Sequence, residues 1–161
     1  MASGQTSMPA GARPCGICSA IQQIRAGQVG NLVAELEHSY VVLGDAQFYR
    51  GYCIVLAKRH FTELHLMAPG EARALFDEVL LTGHAIATVV KPQKLNHCCL
   101  GNSEPHVHWH IFPRQPTDPE PLRPVWIRPE TLERAELEPS DKGGLIRALQ
   151  LEIKRLAAAH P

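Results

Sequence analysis

The apolar positions along the chain predict three amphipathic helices. Isoleucines at three- and four-residue spacing predict a short helix over residues 17–26. The longest helix opens at Pro69, because proline is tolerated in the first turn of a helix. Ser140 or Asp141 can cap a last helix. The apolar stripes expected on the second and third helices consist of Ala72, Leu75, Phe76, Val79, Ile86 and Val90, and of Leu145, Leu149, Ile153 and Leu156.

The segments between these helices have the apolar content of β-strands. Residues 32–43 predict two short strands, and residues 51–57 are almost continuously apolar, as in a well-covered central strand. Residues 95–100 predict a further strand, and the five-residue turn 101–105 leads from it into the strand that follows. Because so short a turn joins adjacent antiparallel strands, we expect these two strands to be hydrogen-bonded neighbours.

The strand after this turn, residues 106–114, carries the most unusual pattern in the chain. Three of its first five residues are histidines, and each is followed by a large apolar residue. Side chains of a β-strand point alternately to opposite faces, so we expect an imidazole row on one face and an apolar surface on the other. The imidazole row consists of His106, His108 and His110, and the apolar surface of Val107, Trp109 and Ile111.

Length, charge and cysteine content narrow the class of protein. The 161 residues suffice for one domain with a hydrophobic core. The formal net charge of zero attracts neither nucleic acid nor an anionic membrane, and no apolar run reaches the length of a membrane span. Five cysteines, an odd number, argue against a disulfide framework. Because the N-terminal sequence has no basic start and no apolar signal core, we expect a cytoplasmic protein.

Chemistry alone leaves three interpretations of the imidazole row. Two histidines at alternate strand positions can chelate zinc. A neutral imidazole is also a good nucleophile toward phosphorus, and a neighbouring imidazole can help the leaving group to depart. The third interpretation is a polar strand face without a function, and the clustering of so many titratable groups argues against it.

The spacing His106-x-His108-x-His110-x-x, with apolar residues at the x positions, resembles the motif of the histidine triad (HIT) family. The resemblance extends over residues 15–118, with a C-x-x-C pair and several strand ends in family order. It implies an α+β fold in which a long helix packs across an antiparallel sheet of about five strands. It also implies that two chains pair into a homodimer.

The resemblance divides the chain into three parts. Residues 1–14 precede it, and we expect them to form a flexible N-terminal arm. Residues 15–118 form the HIT domain. Residues 119–161 are a proline-rich segment and a C-terminal helix, which we expect to pack on the domain.

The resemblance further implies chemistry at the α-phosphate of a nucleotide. His108 would be the nucleophile that forms a nucleotidyl-histidine intermediate, and His110 would help the leaving group to depart. The other contacts to the nucleotide, which we expect to be a purine, are Ile17 at the base, Asp45 at the ribose, and Asn102, Ser103 and His110 at the α-phosphate. The implied protein hydrolyses a nucleoside phosphoramidate or a dinucleoside polyphosphate and releases a nucleoside monophosphate. A nucleotidyltransferase or phosphorylase and a non-catalytic nucleotide-binding protein remain alternatives.

A structural zinc site is a further implication of the resemblance. Cys15 and Cys18 at the start of a helix need two more ligands to close a tetrahedral site. The zinc-carrying branch of the family completes the site with histidines, and the matching positions are His60 and His106. One alternative is a site without metal, with two reduced cysteines at the start of a helix and with His60 and His106 hydrogen-bonded. Another is a hydrolase in which zinc itself is catalytic, so that chelation would abolish activity at once rather than slowly through unfolding.

Overall fold

The computed structural model describes residues 14–119, 121–127 and 135–159, so most of the expected N-terminal arm lies outside the described residues. In chain order the helices and strands are α1 (Gly16–Arg25), β1 (Leu32–Glu35), β2 (Ser39–Leu43), β3 (Cys53–Ala57), α2 (Pro69–Val90), β4 (Lys94–Cys98), β5 (His108–Arg114) and α3 (Pro139–Ala159). The strands form one antiparallel sheet in the order β1-β2-β3-β5-β4. The predicted α+β fold is therefore confirmed, including its five strands, its long helix and its C-terminal helix.

Helices cover both faces of this sheet. The main hydrophobic core lies on one face, where α2 and α3 pack against each other and α3 also contacts the edge strand β1. The short helix α1 packs on the opposite face through its three isoleucines. The change of face is visible in β2, where Val41 belongs to the main core and its neighbour Val42 packs with α1. The face that carries α1 is the one that also carries the imidazole row.

Among the element boundaries that differ from the prediction are the starts of β5 and of the last helix. β5 begins at His108 rather than at His106, because the backbone N–H of Val107 donates to the carbonyl of Phe61 (2.7 Å) instead of to a sheet partner. The last helix begins at Pro139, just before its two predicted caps. Neither shift changes which residues share a face, because the alternation of side chains continues through Val107.

The apolar stripe predicted for α2 is wrong at one position. Leu75, Val79 and Ile86 are buried, but Phe76 is 45% exposed. Adjacent residues on a helix are separated by about 100° around its axis, so the side chain of Phe76 points well away from the direction of Leu75. The ring of Phe76 instead contacts Trp109, with ring centroids 5.6 Å apart. The stripe predicted for α3 is buried throughout.

The described residues contain no helix that combines the length and the apolar surface needed to cross a membrane. The same part of the chain includes all five cysteines, and each has a free thiol. Two of these thiols contribute to the site described below.

Candidate functional site

The imidazole row predicted from the alternation is present, and a line of hydrogen bonds connects its members. The Nε2–H of His106 donates to the carbonyl of Ala57 (2.8 Å), and the Nδ1–H of His108 donates to the carbonyl of His106 (2.6 Å). Nε2 of His108 lies 3.0 Å from Nε2 of His110. At the end of the line, Nδ1 of His110 lies 2.6 Å from the hydroxyl of Tyr52.

This line determines where His108 carries its proton. Because a backbone carbonyl can only accept, Nδ1 of His108 must be the protonated nitrogen of the neutral ring. Its lone pair is then on Nε2, which faces His110. Burial, together with the proximity of His108, lowers the pKa of His110 to about 4, so this ring is neutral at pH 7. With its Nδ1 proton donated to a carbonyl, the ring of His108 directs toward His110 the Nε2 lone pair that a nucleophile requires.

A second cluster combines two sulfur and two nitrogen atoms. The ligand atoms of Cys15, Cys18, His60 and His106 all lie within 4.8 Å of one another. Nδ1 of His106 lies 3.5 Å from both sulfurs and 3.2 Å from Nδ1 of His60, which lies 3.3 Å from the Cys18 sulfur.

The chemistry and spacing of these four atoms fit zinc. Bonds of about 2.3 Å to sulfur and 2.0–2.1 Å to nitrogen place tetrahedral S···N pairs about 3.5 Å and N···N pairs about 3.4 Å apart. The distances in the cluster are close to these values. The other ring nitrogen of His106 already donates to Ala57, so its Nδ1 lone pair faces the cluster, as in most histidines that bind metals. The structure thus brings together all four residues that the sequence suggested as ligands.

Helix α1 places the two cysteines through contacts at its N-terminus. Cys15 caps the helix, and its sulfur accepts a hydrogen bond from the backbone N–H of Cys18 (3.4 Å). The carboxylate of Glu104 accepts from the N–H of Gly16 (2.8 Å), and a Cβ at Gly16 would lie only 2.9 Å from it. Burial, with smaller contributions from Cys15 and Glu104, raises the pKa of the Cys18 thiol to about 11. A bound cation would offset this effect by stabilising the thiolate.

A cavity of about 490 Å³ opens beside the imidazole row. Ile17 and Asp45, the residues expected at the base and the ribose, both line it. Leu56 also lines it and is the sheet partner of His108, so the cavity wall continues directly into the row. The side-chain N–H₂ of Asn31 donates to the Asp45 carboxylate (3.4 Å) and to the Leu43 carbonyl (2.9 Å). One side of the Asp45 carboxylate is thereby oriented, and the side chain as a whole is exposed.

Asn102 and Ser103 lie in the turn between β4 and β5. Both are exposed, and within the described part of the chain neither side chain forms a hydrogen bond to protein. The residues that line the cavity include their neighbour Glu104, but not these two. Their side chains are therefore available to a ligand, at the entrance of the strand that carries the histidines.

The HIT domain model matches residues 26–117. This chain belongs to the HIT family. The family consists of nucleotide-binding proteins that are generally nucleotide hydrolases or transferases, and the match includes the whole imidazole row.

Several solved structures share the HIT fold. A histidine triad protein from Bradyrhizobium japonicum is 24% identical and has a TM-score of 0.70, with 80% of this chain and 94% of that chain covered. A hypothetical histidine triad nucleotide-binding protein from Sulfolobus tokodaii is also 24% identical (TM-score 0.67, 86% and 93% covered). A Zn-bound histidine triad family protein from Mycobacterium smegmatis is 18% identical (TM-score 0.64, 91% and 97% covered). At these identities the likeness shows the fold, and a search of curated proteins finds no match.

Three side chains of this HIT site were not predicted to belong to it. Tyr52 was part of a predicted strand, but its contact with His110 depends on the pairing of two strands that are distant in sequence. The sequence places Glu104 in the turn 101–105, and in the structure its carboxylate also holds the start of α1. Lys142, from the C-terminal helix, lines the cavity. No local pattern indicated any of these contacts.

Trp126 lies in the segment after the HIT motif and contacts the imidazole row. Its ring stands edge-on to His110, with centroids 5.3 Å apart, and to Phe112 at 5.5 Å. The segment after the HIT motif therefore returns to the imidazole row of its own chain. Its indole nitrogen is buried and has no hydrogen-bond partner among the described residues.

Proposed function

We propose that this HIT protein is a nucleotide hydrolase that acts at the α-phosphate through a nucleotidyl intermediate on His108. The observation that carries the proposal is the position of Nε2 of His108, which bears the lone pair of the ring and lies beside His110 where the cavity wall meets the imidazole row. A nucleoside in the cavity would bring its α-phosphate to this atom. Substrates of this kind are nucleoside phosphoramidates and dinucleoside polyphosphates, which yield a nucleoside monophosphate.

The proposed reaction has two balanced steps. Nε2 of His108 donates its lone pair to the α-phosphorus, and the bond from phosphorus to the leaving group breaks, with the electron pair going to the leaving group. Water then attacks the same phosphorus and loses a proton to solvent, and the bond to His108 breaks. The products are the nucleoside monophosphate and free His108. The proposed donors to the phosphate oxygens are His110, Asn102 and Ser103. His110 lies on the strand that carries His108, and the other two residues lie in the turn just before this strand.

The cavity supports the proposed contacts to the nucleoside. Ile17 is almost fully buried and presents an apolar surface on which a base could pack, and the cavity volume of about 490 Å³ accommodates a purine. The Asp45 carboxylate can accept hydrogen bonds from both ribose hydroxyls. Asn31 already occupies one direction of approach to this carboxylate, which favours a defined orientation of the ribose.

Zinc in this proposal is structural and is held by Cys15, Cys18, His60 and His106. When bound, it supplies a fixed positive charge that stabilises two thiolates and joins α1 to the start of the histidine strand. The catalytic step belongs to His108, whose ring nitrogens lie outside the four-ligand set. We also propose a cytoplasmic location, which suits free thiols.

We further propose that the protein is a homodimer. β4 is an edge strand of the sheet, and an edge strand offers unpaired backbone groups to another chain. Leu100, just after this strand, is 56% exposed. Sedimentation of the full chain is expected to give the mass of a dimer, and a monomer at all concentrations tested would contradict this proposal.

The release of AMP tests the proposed function. The full-length protein is offered an adenosine phosphoramidate, a diadenosine polyphosphate and ADP-glucose, each with and without added inorganic phosphate. Release of AMP into water from either of the first two supports the hydrolase. Formation of ADP only when phosphate is present would identify a phosphorylase instead. Binding of AMP without turnover of any substrate would identify a non-catalytic nucleotide-binding protein.

Replacing Asp45 with asparagine is expected to raise KM about ten-fold and to change kcat little, because charge-assisted hydrogen bonds to the ribose contribute about 1.5–3 kcal/mol. The measurement compares ribo- and 2′,3′-dideoxy forms of one substrate. The wild type should lose affinity for the dideoxy form, whereas Asp45→Asn should treat the two forms alike. Asp77→Asn, on the exposed side of α2, is the matched control. An equal penalty for the dideoxy form in wild type and Asp45→Asn would contradict the assignment.

A further inference from the structure

Tyr52 is held rigidly beside the imidazole row. It is 8% exposed, and its ring stacks on Phe112 with centroids 4.2 Å apart and an interplanar angle of 11°. On another side its ring fills the space that a side chain at Gly44 would need, since a Cβ there would lie 2.3 Å from ring carbons of Tyr52. The ring cannot move without disturbing these neighbours, so the position of its hydroxyl is fixed by packing.

Within the described residues, the hydroxyl of Tyr52 has one hydrogen-bond partner, which is Nδ1 of His110 at 2.6 Å. Burial is the largest of the effects that raise the pKa of Tyr52 far above its ordinary value, so the hydroxyl keeps its proton. A protonated hydroxyl with this single partner donates to it. Nδ1 of His110 is therefore an acceptor and carries no proton.

The opposite nitrogen of His110 leads to the same assignment. Nε2 of His110 faces Nε2 of His108, which carries a lone pair because its own Nδ1 proton is donated to a carbonyl. Two lone pairs would repel each other at 3.0 Å, so the His110 nitrogen must supply the proton between them. Both ends of the His110 ring thus require the tautomer with its proton on Nε2.

We propose that Tyr52 is a positioning residue that holds His110 in the Nε2–H tautomer, so that His110 acts on the phosphate as a neutral hydrogen-bond donor. This inference rests on the proposed function for the identity of the reaction. Tyr52 does not touch the reacting atoms. It acts through the ring of His110, which faces them.

The arrangement restricts what His110 can do for a leaving group. If the Nε2 proton were transferred, His110 would become an imidazolate, unless Tyr52 gave its proton to Nδ1 and became a buried tyrosinate. Both species are unfavourable in this buried site. His110 therefore keeps its proton while the bond from His108 to phosphorus forms and the leaving group departs with its electron pair. This favours a leaving group that is stable as an anion, such as a phosphate chain, over an amine that must be protonated.

The first test measures the tautomer without any substrate. We would record the imidazole ¹⁵N shifts of His110 in the full-length wild type, in Tyr52→Phe and in Tyr40→Phe. Tyr40 is the matched control, since it is also buried in the sheet and its hydroxyl donates elsewhere, to Glu35. The wild type and Tyr40→Phe should show protonated Nε2 and unprotonated Nδ1, and Tyr52→Phe should shift both resonances. A protonated Nδ1 in the wild type, or unchanged shifts in Tyr52→Phe, would overturn the inference.

The second test is kinetic. Loss of one hydrogen bond to a group that acts on the phosphate should lower kcat of Tyr52→Phe about ten-fold and leave KM within about two-fold. Tyr40→Phe should retain both constants. The wild type should cleave a diadenosine polyphosphate faster than an adenosine phosphoramidate, and a preference for the phosphoramidate would contradict the restriction on the leaving group. Failure of the proposed function would appear differently, as no AMP release with the tautomer intact.

Discussion

Turnover by His108→Asn is expected to fall by roughly three orders of magnitude or more, because the variant has no atom in place of the attacking nitrogen. Asparagine can still donate a hydrogen bond to the carbonyl of His106 from the position that Nδ1 now occupies. Its side chain ends before the position of Nε2, so the nucleophile is lost without the loss of this anchoring contact. The measurement is single-turnover release of AMP together with trapping of the labelled protein by acid quench.

His84→Asn is the matched control for this experiment. His84 is exposed on α2, and its replacement should leave turnover unchanged. The wild type should carry a labelled nucleotidyl group after the quench, and His108→Asn should carry none. Near-normal release of AMP by His108→Asn, with the fold intact, would remove the central claim.

Removal of the metal site is the second large effect that we expect. Cys18→Ser should bind far less than the roughly one zinc per chain expected of the wild type, and its free energy of unfolding should fall by about 4 kcal/mol or more. The cluster joins α1 to residues far along the chain, so its loss should free the helix that forms part of the cavity wall. Elemental analysis and thermal unfolding measure the two effects.

Cys98→Ser is the control for this substitution, since Cys98 is another partly buried free thiol and lies outside the cluster. It should retain zinc and the stability of the wild type. The time course of inactivation by a chelator separates the two roles of a metal. Loss of activity in step with unfolding supports a structural ion, whereas immediate loss from a folded protein would favour zinc as the catalyst.

Much of the site follows from local pattern. The alternation of residues 106–111 was sufficient to place three imidazoles on one face and to direct Val107 and Ile111 into the main core, and both placements are confirmed. It was sufficient because the period of a strand is two residues, whatever the partner strands are. The same local logic predicted the buried stripe of α3. On α2 it assigned both Leu75 and Phe76 to the core, whereas only Leu75 is buried there.

The rest of the site depends on pairings between distant parts of the chain. The four metal ligands lie on α1, after β3 and just before β5, and only the family resemblance brought them together. The contact of Tyr52 with His110 requires the register in which Ile54 faces His110. Register is set by the whole sheet and its turns and cannot be read from one strand. Lys142 lines the cavity only because α3 packs beside it, and no sequence motif indicated how α3 would pack.

His106 contacts the metal cluster and the nucleophile through two different groups. Its ring belongs to the metal cluster, while its backbone oxygen accepts the hydrogen bond that orients the ring of His108. One residue therefore links the proposed zinc site to the orientation of the proposed nucleophile. Under the proposed function, substitutions at the metal ligands would also disturb the backbone that orients His108, so metal content and turnover would fall together.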